Sequence, residues 1–333
     1  MNALSILAAV PGFSGNQTAL NPAGPMAQRI EHTFSLIFFI TAIVYVLTMI
    51  AVAISVWSNR ISSTDFPPPE QSSPENNRKA VSAVAGAMAI SILLLFVMMI
   101  ASFATSHAIG KENGRAPIEV DVYGHQWWWE VQYPQPEADK MVLTANEIHI
   151  PTGSLVRIHG TSMDVIHSFW APNIHGKRDL LPGYENDFVI QADQPGRWRG
   201  QCAEFCGPQH AHMSFLVIAE PMDQFHNWMT AQAGTPPPPA TPQTQHGQVV
   251  FLSRACIMCH TVRGTVAGSR VGPDLTHVGS RDTIASGTLP NDAEHLARWI
   301  SNAQQIKPGV RMPPNPMPQQ DLNDLVAYLE SLR

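Results

Sequence analysis

The sequence predicts a multidomain chain: an N-terminal transmembrane α-hairpin, an all-β domain and a small all-α domain. Three observations predict it. Two long runs, Thr33 to Ser58 and Ala80 to Ser106, are apolar and hold no charged residue. Residues 108–222 read as short strands separated by turn signals. A proline-rich break, Ala233-Gly-Thr-Pro-Pro-Pro-Pro-Ala-Thr-Pro-Gln-Thr-Gln245, then gives way to helical patterning. The expected divisions are an N-terminal segment (1–29), the hairpin (30–107), the β domain (108–222), a linker (223–244) and the helical domain (245–333).

Each apolar run exceeds the roughly 20 residues that cross a bilayer as a helix. An ordinary core helix keeps a polar face over such a length, and these do not. The segment between them holds Arg60, Arg78 and Lys79, against Arg29 alone before the first run. That bias places the loop inside and both termini outside. Pro67-Pro68-Pro69 and Pro74 predict a stiff, non-helical loop. The first 28 residues carry no charge, so they lack the basic start of a usual signal peptide.

In the β domain, Ile118-Glu-Val-Asp-Val122 alternates apolar and polar residues. Glu147 to Ile150 and Leu155 to Ile158 flank a Pro151-Thr-Gly153 turn, and Asp187 to Ile190 and Ser214 to Ile218 follow. Short strands at this spacing predict a sandwich or barrel. Beyond the linker, whose prolines favour an extended spacer, Gly247 to Val262 and Gln319 to Leu332 read as helices. Leu322, Leu325, Val326 and Leu329 recur there at helical spacing. Residues 108–222 carry eight basic and fourteen acidic side chains, and residues 245–333 eight and seven. An acidic middle repels a phosphate backbone, so nucleic acid is not an expected partner.

All four cysteines fall in two short motifs. The first is Cys202-Ala-Glu204-Phe-Cys206-Gly-Pro-Gln-His210-Ala-His-Met213. Thiolate, thioether and imidazole together suit copper. Two bridging thiolates hold two copper ions, each of which needs its own terminal ligand. His210 supplies one imidazole; His167, in Asp164-Val-Ile-His-Ser-Phe-Trp-Ala-Pro172, is the best candidate for the other. A Cys202–Cys206 disulfide is the alternative, and zinc another, although Met is a poor zinc ligand. His212 reads as a solvated neighbour. The second motif, Cys256-Ile-Met-Cys259-His260, is the attachment signature of a c-type haem: both thiols form thioethers and His260 ligates the iron. Two redox centres on one chain make an electron relay.

The segment Cys202 to Met213 resembles the binuclear copper motif of cytochrome c oxidase subunit II. The membrane hairpin, the β domain and the His-Ser-Phe segment match that family in order, over about residues 30–222. The resemblance implies a cupredoxin-like Greek-key sandwich. It implies bridging by Cys202 and Cys206, with His167 and His210 as terminal ligands. Met213 would be a weak ligand to one copper, and the Glu204 main-chain carbonyl would bind the other. The Glu204 side chain would face a magnesium ion shared with the catalytic subunit I. Two departures stand out. Many members carry Pro-Gly-Arg where this chain has Pro182-Gly183-Tyr184. Many carry a proton-uptake acid near the inner end of the second helix; here the nearest is Glu75, beside Arg78 and Lys79, and it is not assigned that role.

Gly124-His-Gln-Trp-Trp-Trp-Glu130 follows a strand. A strand's period of two prevents three consecutive tryptophans from facing one way, so at least one is expected at the surface, with core packing as the plain alternative. In the oxidase family this segment carries the aromatic entry point for electrons. Trp127 takes that place, and alternation puts Trp128 on the opposite side.

Residues 245–333 resemble a class I cytochrome c. Gly272-Pro273-Asp-Leu275 matches the segment whose proline carbonyl orients the haem histidine. Gly247 and Phe251 would cross the last helix near Tyr328. The sixth ligand should be methionine. Met312, in Lys307-Pro-Gly-Val-Arg-Met312, is favoured over Met317, and Met258 is too constrained. Trp299 either bonds a haem propionate or simply packs.

The combined expectation is an electron-transfer subunit of a haem–copper cytochrome c oxidase with a fused cytochrome c. Its cofactors would be a binuclear copper centre, one covalent haem c and the shared magnesium. Electrons would come from a cytochrome or copper-protein donor and leave for subunit I, which reduces dioxygen with proton translocation. The chain would sit in the lipid of the bacterial inner membrane, both redox domains on the periplasmic face. Tethering through the spacer would replace diffusional docking. A nitric oxide reductase subunit with the same copper centre is the nearest alternative, and a tethered copper-delivery factor a more distant one.

Overall fold

The computed structural model describes residues 15–58, 74–111, 116–135 and 141–333. Two helices, α1 (Pro25–Ser58) and α2 (Pro74–Lys111), carry the apolar runs. Both contain stretches long and apolar enough to cross a membrane, and none of either stretch is buried. Within the pair, Thr33 Oγ1 and Thr105 Oγ1 lie 2.5 Å apart. Glu75 pairs with Lys79 at 3.0 Å, one turn away. Pro74 opens α2 rather than belonging to a non-helical loop; proline is tolerated in a first turn, where its missing N–H costs nothing. Arg60 and Pro67-Pro68-Pro69 lie outside the described residues.

The β domain is a sandwich of two five-stranded sheets. One sheet orders β3 (Val142–Ala145), β2 (Trp128–Tyr133), β1 (Ile118–His125), β5 (Val156–Ser162) and β8 (Asn186–Ile190). The other orders β4 (Glu147–Pro151), β10 (Ser214–Glu220), β9 (Gly196–Cys202), β6 (His167–Trp170) and β7 (Arg178–Leu180). Alternation does what the sequence predicts. On β1, Val120 and Val122 point inward; on β5, Val156 and Ile158 do. Their shared core centres on Trp129, Phe169, Phe188 and Phe215, all buried. Residues 16–23 lie along this sandwich: Arg199 N donates to Asn16 O, and Asn173 Nδ2 to Asn21 O.

The expected spacer begins instead as a helix, α3 (Met222–Ala233). Phe225 is buried in the sandwich core, and Trp228 stacks on His149 with ring centroids 3.9 Å apart. Only residues 234–241 form the extended, proline-rich link.

The helical domain runs α4 (Pro242–Ser253), α5 (Ala293–Ser301), α6 (Ala303–Ile306) and α7 (Gln319–Ser331), with a two-stranded ribbon of β11 (Thr283–Ile284) and β12 (Leu289–Pro290). Thr241 and Thr244 cap α4 reciprocally, and Asp292 caps α5 by accepting from His295 N at 2.9 Å. Helices α4 and α7 cross where expected. A Cβ on Gly247 would stand 2.0 Å from Asp324 O, so only glycine permits this approach. Phe251 packs on Tyr328, ring centroids 6.0 Å apart.

The β domain and the helical domain belong to one compact unit. The sequence-based picture of two independent domains on a tether is therefore corrected. Ser214 and Ser286 exchange hydroxyl-to-carbonyl bonds, each 2.8 Å. Ala285 and Ser286 hold left-handed backbone to make them, φ 53° and 60°, at about 1–3 kcal/mol each. Glu147 accepts from Asp282 N at 2.7 Å, and Arg263 donates to Met141 O at 2.9 Å. Arg197–Asp282 and Arg270–Glu130 ion pairs flank the same face.

Candidate redox site

Antiparallel pairing of β6 with β9 sets Phe169 opposite Cys202. This brings His167, two residues earlier, over the start of the cysteine loop. His167 Nδ1 lies 3.7 Å from Cys202 Sγ. Four residues on, Cys206 Sγ faces His210 Nδ1 at 3.6 Å and Met213 Sδ at 3.9 Å. The Glu204 carbonyl lies 3.2 Å from Cys202 Sγ. Each sulfur thus has one imidazole nitrogen and one weaker donor beside it. His167, Cys202 and Cys206 are buried and their ligand atoms lie within 4.8 Å of one another. Both cysteines are free thiols, not a disulfide. The Glu204 side chain points out and is exposed. His212, also exposed, bonds Gln209 Oε1 at 2.8 Å.

The cysteine pair favours thiolate at Cys202, while the hydrogen bond with Cys202 and burial push Cys206 up. Cys202 is held well below the ordinary thiol range, first by the hydrogen bond with Cys206; burial opposes this and His167 assists it. Burial disfavours a charged His167, but its bonds to Cys202 and Asp164 outweigh that and raise its pKa. Asp164 Oδ1, 2.9 Å from His167 Nε2, fixes the ring so that Nδ1 faces the sulfurs. Gly124 on β1 makes room for that ring: a Cβ there would meet His167 Cδ2 at 2.7 Å. Soft donors, a dry setting and a buttressed imidazole fit a thiolate-bridged copper pair.

In the helical domain a cavity of about 340 Å³ is lined by Cys256, Cys259, His260 and Met312. The His260 Nδ1 proton goes to Pro273 O at 2.7 Å, so Nε2 is the nitrogen left for a ligand. Burial keeps this imidazole neutral, its pKa lowered. A Cβ on Gly272 would stand 2.7 Å from His260 Cε1; the ring fills the space that the glycine leaves. Arg281 reaches the cavity wall with its buried Nε unpartnered, the kind of orphan donor that an acidic substituent of a bound group would satisfy. These features fit a haem. Met312 lines the cavity, whereas Met317 packs against the helical core. Trp299 does both.

Trp127 joins the two sites. It lines the same cavity, and its Nε1–H donates to Cys206 O at 2.9 Å. Gln126 Nε2 donates to that carbonyl as well, at 2.8 Å. Two expectations about the tryptophan run need correction. Trp127 is not at the surface: it is 7% exposed, covered by the helical domain. Trp128 is not on the opposite side from it. Strand β2 begins at Trp128, so Trp127 sits in the preceding turn and alternation does not relate the two. Trp128 also lines the cavity and stacks on His125 at 4.3 Å. Trp129, fully buried, is the core member.

Sequence reasoning missed Asp164, Gln126, Arg281 and Lys307. Asp164 had a signal, three residues before His167. The others touch their partners only through tertiary folding.

Comparison with known proteins adds family evidence. The model for the cytochrome c oxidase subunit II periplasmic domain matches residues 118–220, and that for cytochrome c matches 244–333. Cytochrome c oxidase subunit 2 of Alkalihalophilus pseudofirmus is 33% identical over 324 residues, spanning 96% of this chain and 91% of its own. The Bacillus sp. PS3 protein of the same name is 32% identical over 263 residues, 73% and 72% of the two chains. Among solved structures, the periplasmic domain of subunit II of Bradyrhizobium japonicum cytochrome oxidase is 27% identical. It covers 36% of this chain and 95% of its own, with a TM-score of 0.34.

Proposed function

The chain belongs to the cytochrome c oxidase subunit 2 family, and from that premise we propose that it is the electron-entry subunit of a haem–copper oxidase, passing electrons from a c-type haem to a binuclear copper centre and on to a catalytic subunit I that reduces dioxygen with proton translocation. One observation carries this reading: Trp127 forms part of the wall of the cavity that Cys256, Cys259 and His260 line, and hydrogen-bonds the main chain of Cys206. A binder or a delivery factor has no use for such a bridge.

Cys202 and Cys206 would hold the copper pair between them, with His167 and His210 as terminal ligands. Met213 and the Glu204 carbonyl would complete it. Cys256 and Cys259 would attach the haem, with His260 and Met312 as axial ligands. When bound, these groups supply one-electron carriers that change geometry little on reduction. The protein's part is to hold His167 through Asp164 and His260 through Pro273, to keep water from both sulfurs, and to set Trp127 between the sites. The exposed Glu204 side chain is free to face a magnesium ion shared with subunit I. The two apolar helices would anchor the chain in the lipid of the bacterial cell membrane, with both redox domains on the periplasmic side and a cytochrome or copper protein as donor.

The test is the purified complex. About two coppers and one covalent haem per chain, with oxygen uptake, are the expected result. Turnover of nitric oxide without dioxygen would move the chain to a reductase; co-purification with only a copper-loading partner would overturn the relay.

Met312→Ala should remove the sulfur-to-iron absorption band and lower the haem potential, and Met317→Ala should do neither. The reverse pattern would reassign the ligand. No change in either would mean that neither methionine is the sixth ligand; His277 and His295, the surplus histidines of this domain, do not line the cavity.

A further inference from the structure

A lysine is sealed into the face between the haem-binding and copper-binding halves. Lys307 is 1% exposed. Its Nζ donates to three main-chain carbonyls: His212 O at 2.8 Å, Trp127 O at 3.0 Å and Ala285 O at 3.1 Å. The first belongs to the loop that ends in Met213, the second to the bridging tryptophan, the third to the haem-binding half itself. An ammonium has three donors and no acceptor, so three converging carbonyls use it completely. Lysine is rarely buried without a carboxylate partner, which makes this placement costly unless it does something. Burial pushes its pKa down to about 7, partly offset by Cys206.

Neighbouring contacts follow the same line. Gln209 Nε2 donates to Pro308 O at 2.9 Å. A Cβ on Gly309 would be in ordinary contact with the Trp127 ring, at 3.9 Å. Val310 packs on the sandwich core. Five residues after Lys307 comes Met312, on the cavity wall. One short segment thus touches the tryptophan, the sulfur loop and the cavity.

We propose that Lys307 is a positioning residue, a latch that holds the haem domain against Trp127 and the Cys206–Met213 loop in the register that electron transfer needs. The proposal rests on the reading of the chain as a haem-to-copper relay. It says why the halves form one body despite a proline-rich link. It also says why the entry tryptophan is covered: the chain's own haem domain occupies the place where a diffusing donor would dock.

The experiment uses the full-length chain in its complex, with both centres loaded. Lys307→Met keeps the stem and removes every donor. The haem spectrum and copper content should stay as in wild type. Transfer from haem to copper, followed by rapid-mixing optical kinetics, should slow at least about tenfold, or about 1.4 kcal/mol of preference for the docked arrangement. A soluble class I cytochrome c, added as reductant, should reduce the copper pair directly and faster than in wild type, because Trp127 becomes reachable. A lysine with a merely structural role would not open that second route. Full loading with a wild-type internal rate overturns the proposal. If Lys307→Met loses a centre or fails to fold, Lys307→Gln decides, since its amide retains donors: partial slowing supports the latch and an unchanged rate refutes it. If the wild-type chain itself loads no copper, the functional reading falls. The latch is then judged by amide exchange, which Lys307→Met should speed in residues 207–213 and 303–310 and which an unchanged pattern would refute.

Discussion

Cys206→Ser in the full-length chain is expected to abolish the copper pair and leave the haem spectrum intact; Cys202→Ser should do the same. A serine hydroxyl is a hard oxygen and a poor match for copper, whereas a thiolate is a soft ligand. Bridging gives the loss its size. Each sulfur would serve both ions, so removing one sulfur undoes two sites rather than half of one. The haem should survive because this loop meets the haem domain through His212 O and Gln209 Nε2, not through either cysteine side chain. Serine at either cysteine leaves both contacts in place. Metal analysis and the mixed-valence copper resonance read the first part, and the optical spectrum the second. A mutant that keeps two coppers would remove the bridging assignment. Loss of haem together with copper would mean that the sulfurs, and not only the main chain, hold the halves in place.

Trp127→Ala is expected to slow haem-to-copper transfer while both centres stay loaded. The ring offers no ligand atom, yet it lines the cavity and donates to Cys206 O, and unlike Gln126, which does the same, it is aromatic. Alanine would leave a hole in the wall and break the indole bond. A fall of tenfold or more, about 1.4 kcal/mol in the barrier, is the expected scale. Removing a buried tryptophan also costs about 3–5 kcal/mol of stability, so Trp127→Phe is the companion: it refills most of the hole without restoring the bond. Rapid-mixing kinetics on metal-replete protein separate the cases. Trp128→Ala remains informative in a new role, since Trp128 lines the cavity but does not bond Cys206 O. Slow transfer in Trp128→Ala alone would move the route by one residue. Wild-type rates in both would make the tryptophans packing and nothing more.

The legible parts of this chain are local. Charge-free runs mark α1 and α2 because a span is contiguous. The ligand-rich segments 202–213 and 256–260 announce their chemistry because their donors are close in sequence. His167 was legible by type and needed the β6–β9 pairing to be placed. What stayed hidden depends on long-range contact. Nothing near Lys307 in the sequence says that it is buried, and the ordinary prior puts lysine in water. Strand alternation predicts opposite sides for Trp127 and Trp128, but Trp127 sits in a turn and β2 begins only at Trp128. Helix α3 was overlooked for a different reason: Phe225, Trp228 and Met229 carry a helical spacing, but the prolines after it dominated the reading. The same prolines gave the impression of two free bodies, because composition reports a link and not what its ends do.

The buried latch and the exposed ion pairs answer differently to dissolved salt. The Arg197–Asp282 pair and the Arg270 end of the Arg270–Glu130 pair lie where counter-ions reach them, so dissolved salt weakens these contacts. Lys307 and its three carbonyls sit where counter-ions do not. Salt therefore weakens the ion pairs that rim the contact between the halves and leaves the Lys307 bonds inside it in place. The contact between the halves thus has a rim that ionic strength tunes and a centre that it does not reach.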